Sequence, residues 1–348
     1  MTIKVAILGT EHYHANFWTR AIAVSPDANL VGVWDADHDR AARFAQQHGV
    51  AAEPDLRRLI AASDAVAICS ATSDHVPLVE AAAAQKRPIL CEKPLGISGE
   101  DCDRIASVVT SSGIPFMQSF PKRFDPINHE IRALLEQNAI GEVTLCRIRH
   151  GHSHALSEAF RSGWFVDPAR SGGGTLLDEG VHAADFLLWM FGEPQSAFAT
   201  LSSETFRLPV EDNAAAIFRY GSGMIAEVAT SWCFAAADSS IEIYGTGGTI
   251  LLGGVDIASR PTRETEFLRV FRRNEAGGEW TSSATVPHFK TGVFHEHVAW
   301  AFVKALRDRD PMPVTLDDGR RAFAMIEAAY RSARSGRLEP IFRRASEN

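Results

Sequence analysis

Lys4-Val5-Ala6-Ile7-Leu8-Gly9-Thr10-Glu11-His12-Tyr13-His14-Ala15 opens the chain as an apolar β-type run that stops at a glycine and passes into an alanine-rich helical pattern. A strand that delivers a glycine straight to a helix N-terminus begins a doubly wound sheet, because the helix end offers unpaired N–H groups to a dinucleotide pyrophosphate. The same alternation continues outward. Runs 30–34, 65–70, 89–91 and 115–118 read as further strands, and 15–24, 39–48, 55–62, 76–84 and 99–112 read as the helices between them. Alternation of this kind builds βαβ units and a parallel sheet covered on both faces. Residues 1–121 are therefore expected to form an α/β dinucleotide-binding Rossmann domain.

Beyond residue 121 the pattern changes. A helix at 126–137 leads to an alternating strand at 143–150 and a glycine-led apolar segment at 172–191; β-like runs follow at 195–203, 213–220, 224–232, 240–244, 249–252 and 266–271. Helices at 292–309 and 317–335 close the chain. Strands in series with segregated helices predict an α+β domain on a large, mainly antiparallel open sheet over 122–348.

The chain has 348 residues, long enough for two cores, with 45% hydrophobic and 22% charged residues. Its net charge of −8 and lack of basic clusters exclude general nucleic-acid binding and adhesion to an anionic membrane. No apolar run approaches transmembrane length, and the N-terminus turns polar too quickly for a signal peptide. Five scattered cysteines without a C-x-x-C pair fit reduced thiols, so a cytoplasmic protein is expected.

The loop after the first strand departs from G-x-G-x-x-G, with Glu11 and His14 at the second and third glycine positions. Gly9, Thr10, His12, Tyr13 and His14 are the expected cofactor contacts there. Glu11 would repel phosphate unless neutralised, a task for protonated His12 or His14. Asp35 ends the second strand and suits the ribose hydroxyls, which favours NAD over NADP; its simpler alternative is to cap the following helix. Glu92-Lys93-Pro94 follows another strand at the carboxyl edge. Pro94 keeps Lys93 out of helical geometry and permits a cis peptide, and a desolvated Lys93 is expected to have its pKa lowered toward catalytic use.

Ser171-Gly172-Gly173-Gly174-Thr175-Leu176-Leu177-Asp178-Glu179-Gly180-Val181-His182-Ala183-Ala184-Asp185 carries the second cluster. The glycines permit close approach of backbone or a flat ligand. On a continuous helix, Asp178, His182 and Asp185 share one face, so two carboxylates would flank an imidazole and raise its basicity. The plainer alternative is a helix N-terminus with dipole-favoured acids and a satisfied histidine. His150, His152 and His154 alternate on one strand face and are expected to bind substrate hydroxyls; with no carboxylate or thiolate fixed beside them, no metal is expected. Arg161, Trp164 and Phe165 are expected to add an aromatic wall for a sugar or nicotinamide ring, or to form an interdomain core. His295-Glu296-His297 is not a zinc motif, since its histidines diverge on a helix.

Taken together, the Gly9 loop, Asp35, Thr72-Ser73-Asp74-His75, Glu92-Lys93-Pro94, Arg123-Phe124-Asp125-Pro126, Ile140-Gly141-Glu142-Val143, the 172–185 segment and the terminal 328–336 helix resemble the glucose-fructose oxidoreductase/inositol dehydrogenase (Gfo/Idh/MocA) family over nearly the whole chain. Ser73 stands where proline is common and Lys86 where glycine usually precedes the Glu-Lys-Pro strand. The resemblance implies NAD, less readily NADP, and reversible hydride transfer at a hydroxyl-bearing carbon of a sugar, cyclic polyol or related molecule. By position it implies Lys93, Asp178 and His182 as the catalytic trio and Gly9, Asp35, Thr72, His75, Glu92 and Lys93 on the cofactor side. Arg123 is expected to join His152, His154, Arg161, Trp164 and Phe165 on the substrate side. The family also implies a homodimer or homotetramer. A non-catalytic nucleotide- or sugar-sensing regulator, or a lyase or hydrolase with retained NAD, are the alternatives.

Overall fold

The computed structural model describes residues 2–256 and 260–342. Its first sheet holds β1 (Ile3–Leu8), β2 (Ala28–Trp34), β3 (Ala65–Ile68), β4 (Ile89–Cys91) and β5 (Phe116–Gln118), all parallel, in the order β2-β1-β3-β4-β5. Helices α1 (Ala15–Val24), α2 (His38–His48), α3 (Leu56–Ala62), α4 (His75–Ala84) and α5 (Gly99–Ser112) connect them. Ala52 makes a single parallel bridge to Val33 outside β2. Counting that bridge as a vestigial strand gives the 3-2-1-4-5-6 order of a Rossmann sheet, whose switch point falls between β1 and β3. There the turns after the two strands touch. A Cβ on Gly9, which has φ +85°, would lie 2.5 Å from Ser70 Cβ, so only glycine fits.

The second half begins with α6 (Pro126–Glu136), capped by Asp125, which accepts the Ile127 N–H. It continues through β6 (Val143–Gly151) and three single turns, α7 (Glu158–Arg161), α8 (Pro168–Ser171) and α9 (Thr175–Asp178), to α10 (Gly180–Phe191). Strands β7 (Ser196–Ser202), β8 (Asn213–Arg219), β9 (Ile225–Ser231), β10 (Ser240–Gly245), β11 (Gly248–Leu252), β12 (Leu268–Arg272) and β13 (Glu279–Ser282) precede α11 (Val293–Asp308), α12 (Leu316–Ser335) and β14 (Glu339–Pro340). They form one nine-stranded sheet ordered β13-β12-β11-β10-β6-β9-β8-β7-β14, antiparallel except where β6 meets β9. Alternation places Ala214, Ala216 and Phe218 of β8 in the core, while Ile217 stays on the outer face.

Two departures from the sequence reading position the site. The expected helix over 172–191 is broken: Gly172 is left-handed at φ +81°, α9 ends at Asp178, and Glu179 at φ −98°, ψ −33° offsets it from α10. A Cβ on Gly173 or Gly174 would strike Tyr330 Oη at 2.2 Å or Glu211 O at 2.0 Å, so these glycines admit neighbouring protein and not a ligand. The second departure is that the 122–348 segment returns to the first half. Helix α11 packs on α1, with Trp300 Nε1 donating to Ala21 O at 2.9 Å and Arg20 paired with Glu296 at 3.3 Å.

Arg123, in the turn after β5, ties the halves together. Its guanidinium grips Asp185 of α10 through Nε and Nη2 and donates from Nη2 to Asp318 of α12 at 2.9 Å, with little solvent access. Arg123 is thus an internal clamp and not the substrate contact expected of it. Arg123→Ala strands Asp185 in the core and should cost about 3–5 kcal/mol in urea unfolding, a loss under about 1 kcal/mol showing the clamp to be dispensable.

Candidate active site

Strand β4 ends at the carboxyl edge of the Rossmann sheet, and its last turn is pinned by Gln118, whose Nε2 donates to the carbonyls of Cys91 and Glu92 at 3.1 and 3.0 Å. The next residue is Lys93, followed by a cis peptide to Pro94. Lys93 Nζ crosses to the second half and donates to Asp178 Oδ1 at 2.6 Å and to the Asp178 carbonyl at 3.0 Å. Trp232 Nε1 holds the other oxygen, Oδ2, at 3.0 Å. Burial alone would lower the Lys93 pKa as the sequence reading expects, but Asp178, Glu179 and Glu92 outweigh it and hold the ammonium above its ordinary value. Burial likewise opposes ionisation of Asp178, and Lys93 keeps it a carboxylate, well below the usual range.

His182 stands apart from both acids. With the helix broken at Glu179, Asp178 turns to Lys93 and Asp185 to Arg123, so the expected carboxylate-flanked imidazole does not form. The ring neighbours of His182 are His150, with centroids 5.5 Å apart, and Phe120 at 6.3 Å. Its Nδ1 is buried without a hydrogen-bond partner. Burial first, and then the Lys93 charge, push its pKa well below 6.5, which leaves a neutral imidazole with a lone pair instead of a more basic one.

Glu179, a residue the sequence reading passed over, also faces inward and is buried. It lies three residues before His182, the i,i+3 spacing that puts two side chains on one helical face, and that spacing is the signal that could have found it. Its Oε2 lies 3.1 Å from His150 Nε2 and its Oε1 3.3 Å from His152 Nε2. His150 Nδ1 is 2.9 Å from Ser239 Oγ. Burial disfavours a cationic His152, and Asp178 and Glu179 favour it enough to raise its pKa to about 9. Nevertheless, His152 Nδ1 accepts the His154 N–H at 3.0 Å, which an imidazolium, having no acceptor, could not do. The hydrogen bond fixes a neutral ring with its proton on Nε2. Lys93, His150, His152, His154, Glu179 and His182, with Tyr13 and His14, line a chamber of about 800 Å³. Arg161 lies outside it, donating to Ala155 O at 2.6 Å and stacked over Phe206. Trp164 and Phe165 stack on each other 4.0 Å apart and pack against His12, so they brace the dinucleotide loop and do not wall the chamber.

A cleft of about 560 Å³ opens at the switch point, lined by Gly9, Glu11, Asp35, Arg40 and Ser70. Asp35 accepts the Thr10 N–H and hydroxyl, the Asp37 N–H and two bonds from Arg40. Ribose hydroxyls would therefore meet an Asp35–Arg40 pair and not a bare carboxylate. Glu11 is neutralised by arginines: Arg40 Nη1 lies 3.3 Å away, and Arg170 donates to both carboxylate oxygens. His12 and His14 do not supply that charge, because burial keeps both well below 6.5; His14 packs on His295 with centroids 3.8 Å apart. Glu92 is buried and accepts the Lys93 N–H at 3.1 Å, Thr72 is buried in the turn after β3, and His75 reaches Leu95 O at 3.2 Å beneath the Glu-Lys-Pro turn. A dinucleotide fits this cleft: the glycine at the switch point is present, and the acid at the phosphate turn is compensated.

The model of an oxidoreductase family with an NAD-binding Rossmann fold matches residues 3–120, and that of the GFO/IDH/MocA C-terminal domain matches 128–251. Myo-inositol 2-dehydrogenase of Thermotoga maritima is 26% identical over 327 residues, covering 90% of this chain and 92% of its own. The 1,5-anhydro-D-fructose reductase of Ensifer adhaerens is 23% identical over 332 residues, 94% of this chain and 95% of its own. The structure of levoglucosan dehydrogenase in complex with NADH and levoglucosan has the same fold, with a TM-score of 0.85 at 20% identity over 99% of this chain and 100% of that one. Among the described residues no helix is long and apolar enough to cross a membrane. With both halves matched, and Lys93 of one clasping Asp178 of the other, the chain belongs to the Gfo/Idh/MocA oxidoreductases and carries their NAD-binding Rossmann fold.

Proposed function

We propose that the chain oxidises or reduces a CH–OH group of a sugar, cyclic polyol or related small molecule, with NAD as the hydride carrier. One observation carries this reading: a fixed ammonium, Lys93, and a neutral imidazole, His182, line the same chamber at the carboxyl edge of the Rossmann sheet. A bound nicotinamide supplies the hydride acceptor or donor. In oxidation His182 takes the hydroxyl proton, Lys93 stabilises the charge that develops on oxygen, and Asp178 orients Lys93. His154, which also lines the chamber, offers a hydrogen bond to a further hydroxyl, and His152, engaged at both ring nitrogens, positions it. The substrates named for the relatives, an inositol and an anhydrofructose, support the class. The outer face of the nine-stranded sheet exposes Phe198, Ile217 and Ile225, and we place the contacts of a homodimer or homotetramer there. Free thiols at all five cysteines support a reducing, cytoplasmic setting.

The direct test is NADH formation from NAD with a panel of inositols, aldoses and anhydrosugars. Turnover of at least one is expected. Absence of turnover, together with unchanged tryptophan fluorescence and melting temperature on adding NADH, would overturn the reading. Tightly retained NAD with no net NADH production would point to lyase or hydrolase chemistry instead.

His182→Ala should lower kcat by about 10²–10⁴-fold while NADH binding persists. Since the His182 pKa lies well below 6.5, kcat/KM at saturating NAD should fall on the acid side only below pH 6.5; an acid limb centred above that value would assign the proton to another group.

Asp35 stays ionised: burial opposes this, and Arg40 with the Thr10 N–H more than offsets it. Paired with Asp35, Arg40 has little charge left for a 2′-phosphate. Asp35→Ser should remove the repulsion and release the two bonds Arg40 gives Asp35, leaving it near Glu11 and Asp37, and so narrow the preference for NAD over NADP by at least about tenfold. An unchanged ratio of kcat/KM values would remove Asp35 from the discrimination.

A further inference from the structure

Among the described residues, three groups of histidine and carboxylate side chains bring possible ligand atoms within 4.8 Å of one another: His12, His14 and Glu92; His152, Asp178 and Glu179; and His150, Glu179 and His182. Imidazole hydrogen bonding separates them. A metal-bound neutral imidazole uses one nitrogen as ligand and carries its proton on the other, which must donate. His12 Nδ1 accepts the His14 N–H at 3.2 Å and His152 Nδ1 accepts the His154 N–H at 3.0 Å, so in both rings the proton sits on the nitrogen a metal would need. The first two groups are thereby excluded.

The third group meets the requirement. His150 Nδ1 lies 2.9 Å from Ser239 Oγ, an acceptor able to take its proton and leave Nε2 as the ligand atom. That Nε2 lies 3.1 Å from Glu179 Oε2, close to the ~3.3 Å that separates two ligand atoms on a tetrahedral zinc ion. Although so close, Glu179 Oε2 has no aligned hydrogen bond, and His182 Nδ1 has no partner at all. Glu179 and His182 are both more than nine-tenths buried, at 4% and 8% exposure. Asp178 takes the Lys93 ammonium at 2.6 Å, and the ion-pair contacts of the Glu179 carboxylate are with the imidazoles of His150 and His152.

We propose that His150, Glu179 and His182 form a binding site for a divalent transition ion of the zinc class, with the remaining position open to the chamber. Two imidazoles and one carboxylate with an open position suit such an ion, and poorly suit Mg²⁺ or Ca²⁺, which prefer oxygen. Bringing His182 into the tetrahedron requires the ring to close by no more than about 1.5 Å. A ring that ligates through its lone pair cannot also accept a proton there, so a bound ion and the proton transfer assigned to His182 would exclude each other. That consequence alone rests on the proposed function.

The test uses the full chain, stripped with EDTA and free of NAD and substrate, titrated with Zn²⁺ by calorimetry and with Co²⁺ by its visible absorption. One ion per chain is expected, weakened at least about tenfold in His150→Ala and in Glu179→Gln and retained in His152→Ala. Melting curves show whether each variant folds, and His182→Gln replaces either one that does not. Absence of saturable binding by the wild type, or binding that survives loss of His150 and Glu179, overturns the site. Because binding is read without turnover, inactivity toward sugars leaves the result standing.

Discussion

The Lys93–Asp178 ion pair is the contact on which the site depends. One partner lies two residues past a parallel strand of the first sheet and the other ends a single helical turn under the second, so the pair sets how the two halves meet over the chamber. A buried pair of this kind need not add net stability, because desolvating two charges offsets much of their attraction. Its value here is geometric. The Asp178 carbonyl and carboxylate both receive Nζ, Trp232 fixes the second carboxylate oxygen, and Gln118 fixes the strand end that presents the lysine. The ammonium is thereby held charged, as an electrostatic donor and not as a base.

Holding Lys93 charged has a consequence for the imidazoles around it. Burial and a nearby ammonium both disfavour an imidazolium, so His182 and His14 remain neutral. A dense group of rings is tolerable only because they do not charge together. It follows that proton-accepting capacity in the chamber resides in the rings, and the fixed positive charge resides in the lysine. The roles separate by environment, as they do wherever neighbouring titratable groups are pushed apart.

Much of the fold was legible because periodicity reports burial. Helices 15–24 and 99–112 and the strand at 89–91 match α1, α5 and β4 residue for residue, since alanine-rich and β-branched patterns there coincide with glycine, serine and proline boundaries. The edge strands β13 and β14 were not legible: all four residues of β13 are exposed, so no alternation marks it, and β14 has two residues. At the site, the resemblance singled out Lys93, Asp178 and His182, and the fold joins the first two and lines the chamber with Lys93 and His182, but the partners read from spacing, a histidine flanked by Asp178 and Asp185, were misjudged. That error came from assuming a continuous helix through Glu179, whose offset depends on Gly174 packing against Glu211 and Gly173 against Tyr330, contacts distant in sequence.

The glycine-poor dinucleotide loop shows how the fold accommodates what the motif lacks. A G-x-G-x-x-G turn lets backbone approach phosphate and leaves its N–H groups free. Here Asp35 takes the Thr10 N–H, Cys69 O the His12 N–H, and His12 Nδ1 the His14 N–H, so the loop is stiffened by its own bonds. Glu11 would still be prohibitive beside a diphosphate without Arg40 from the first half and Arg170 from the second. Arg170 sits on α8, immediately before the glycines that lead to Asp178. The segment that delivers Asp178 to Lys93 therefore also delivers the cation that neutralises the loop, and docking of the two halves completes the nucleotide cleft and the chamber in one step.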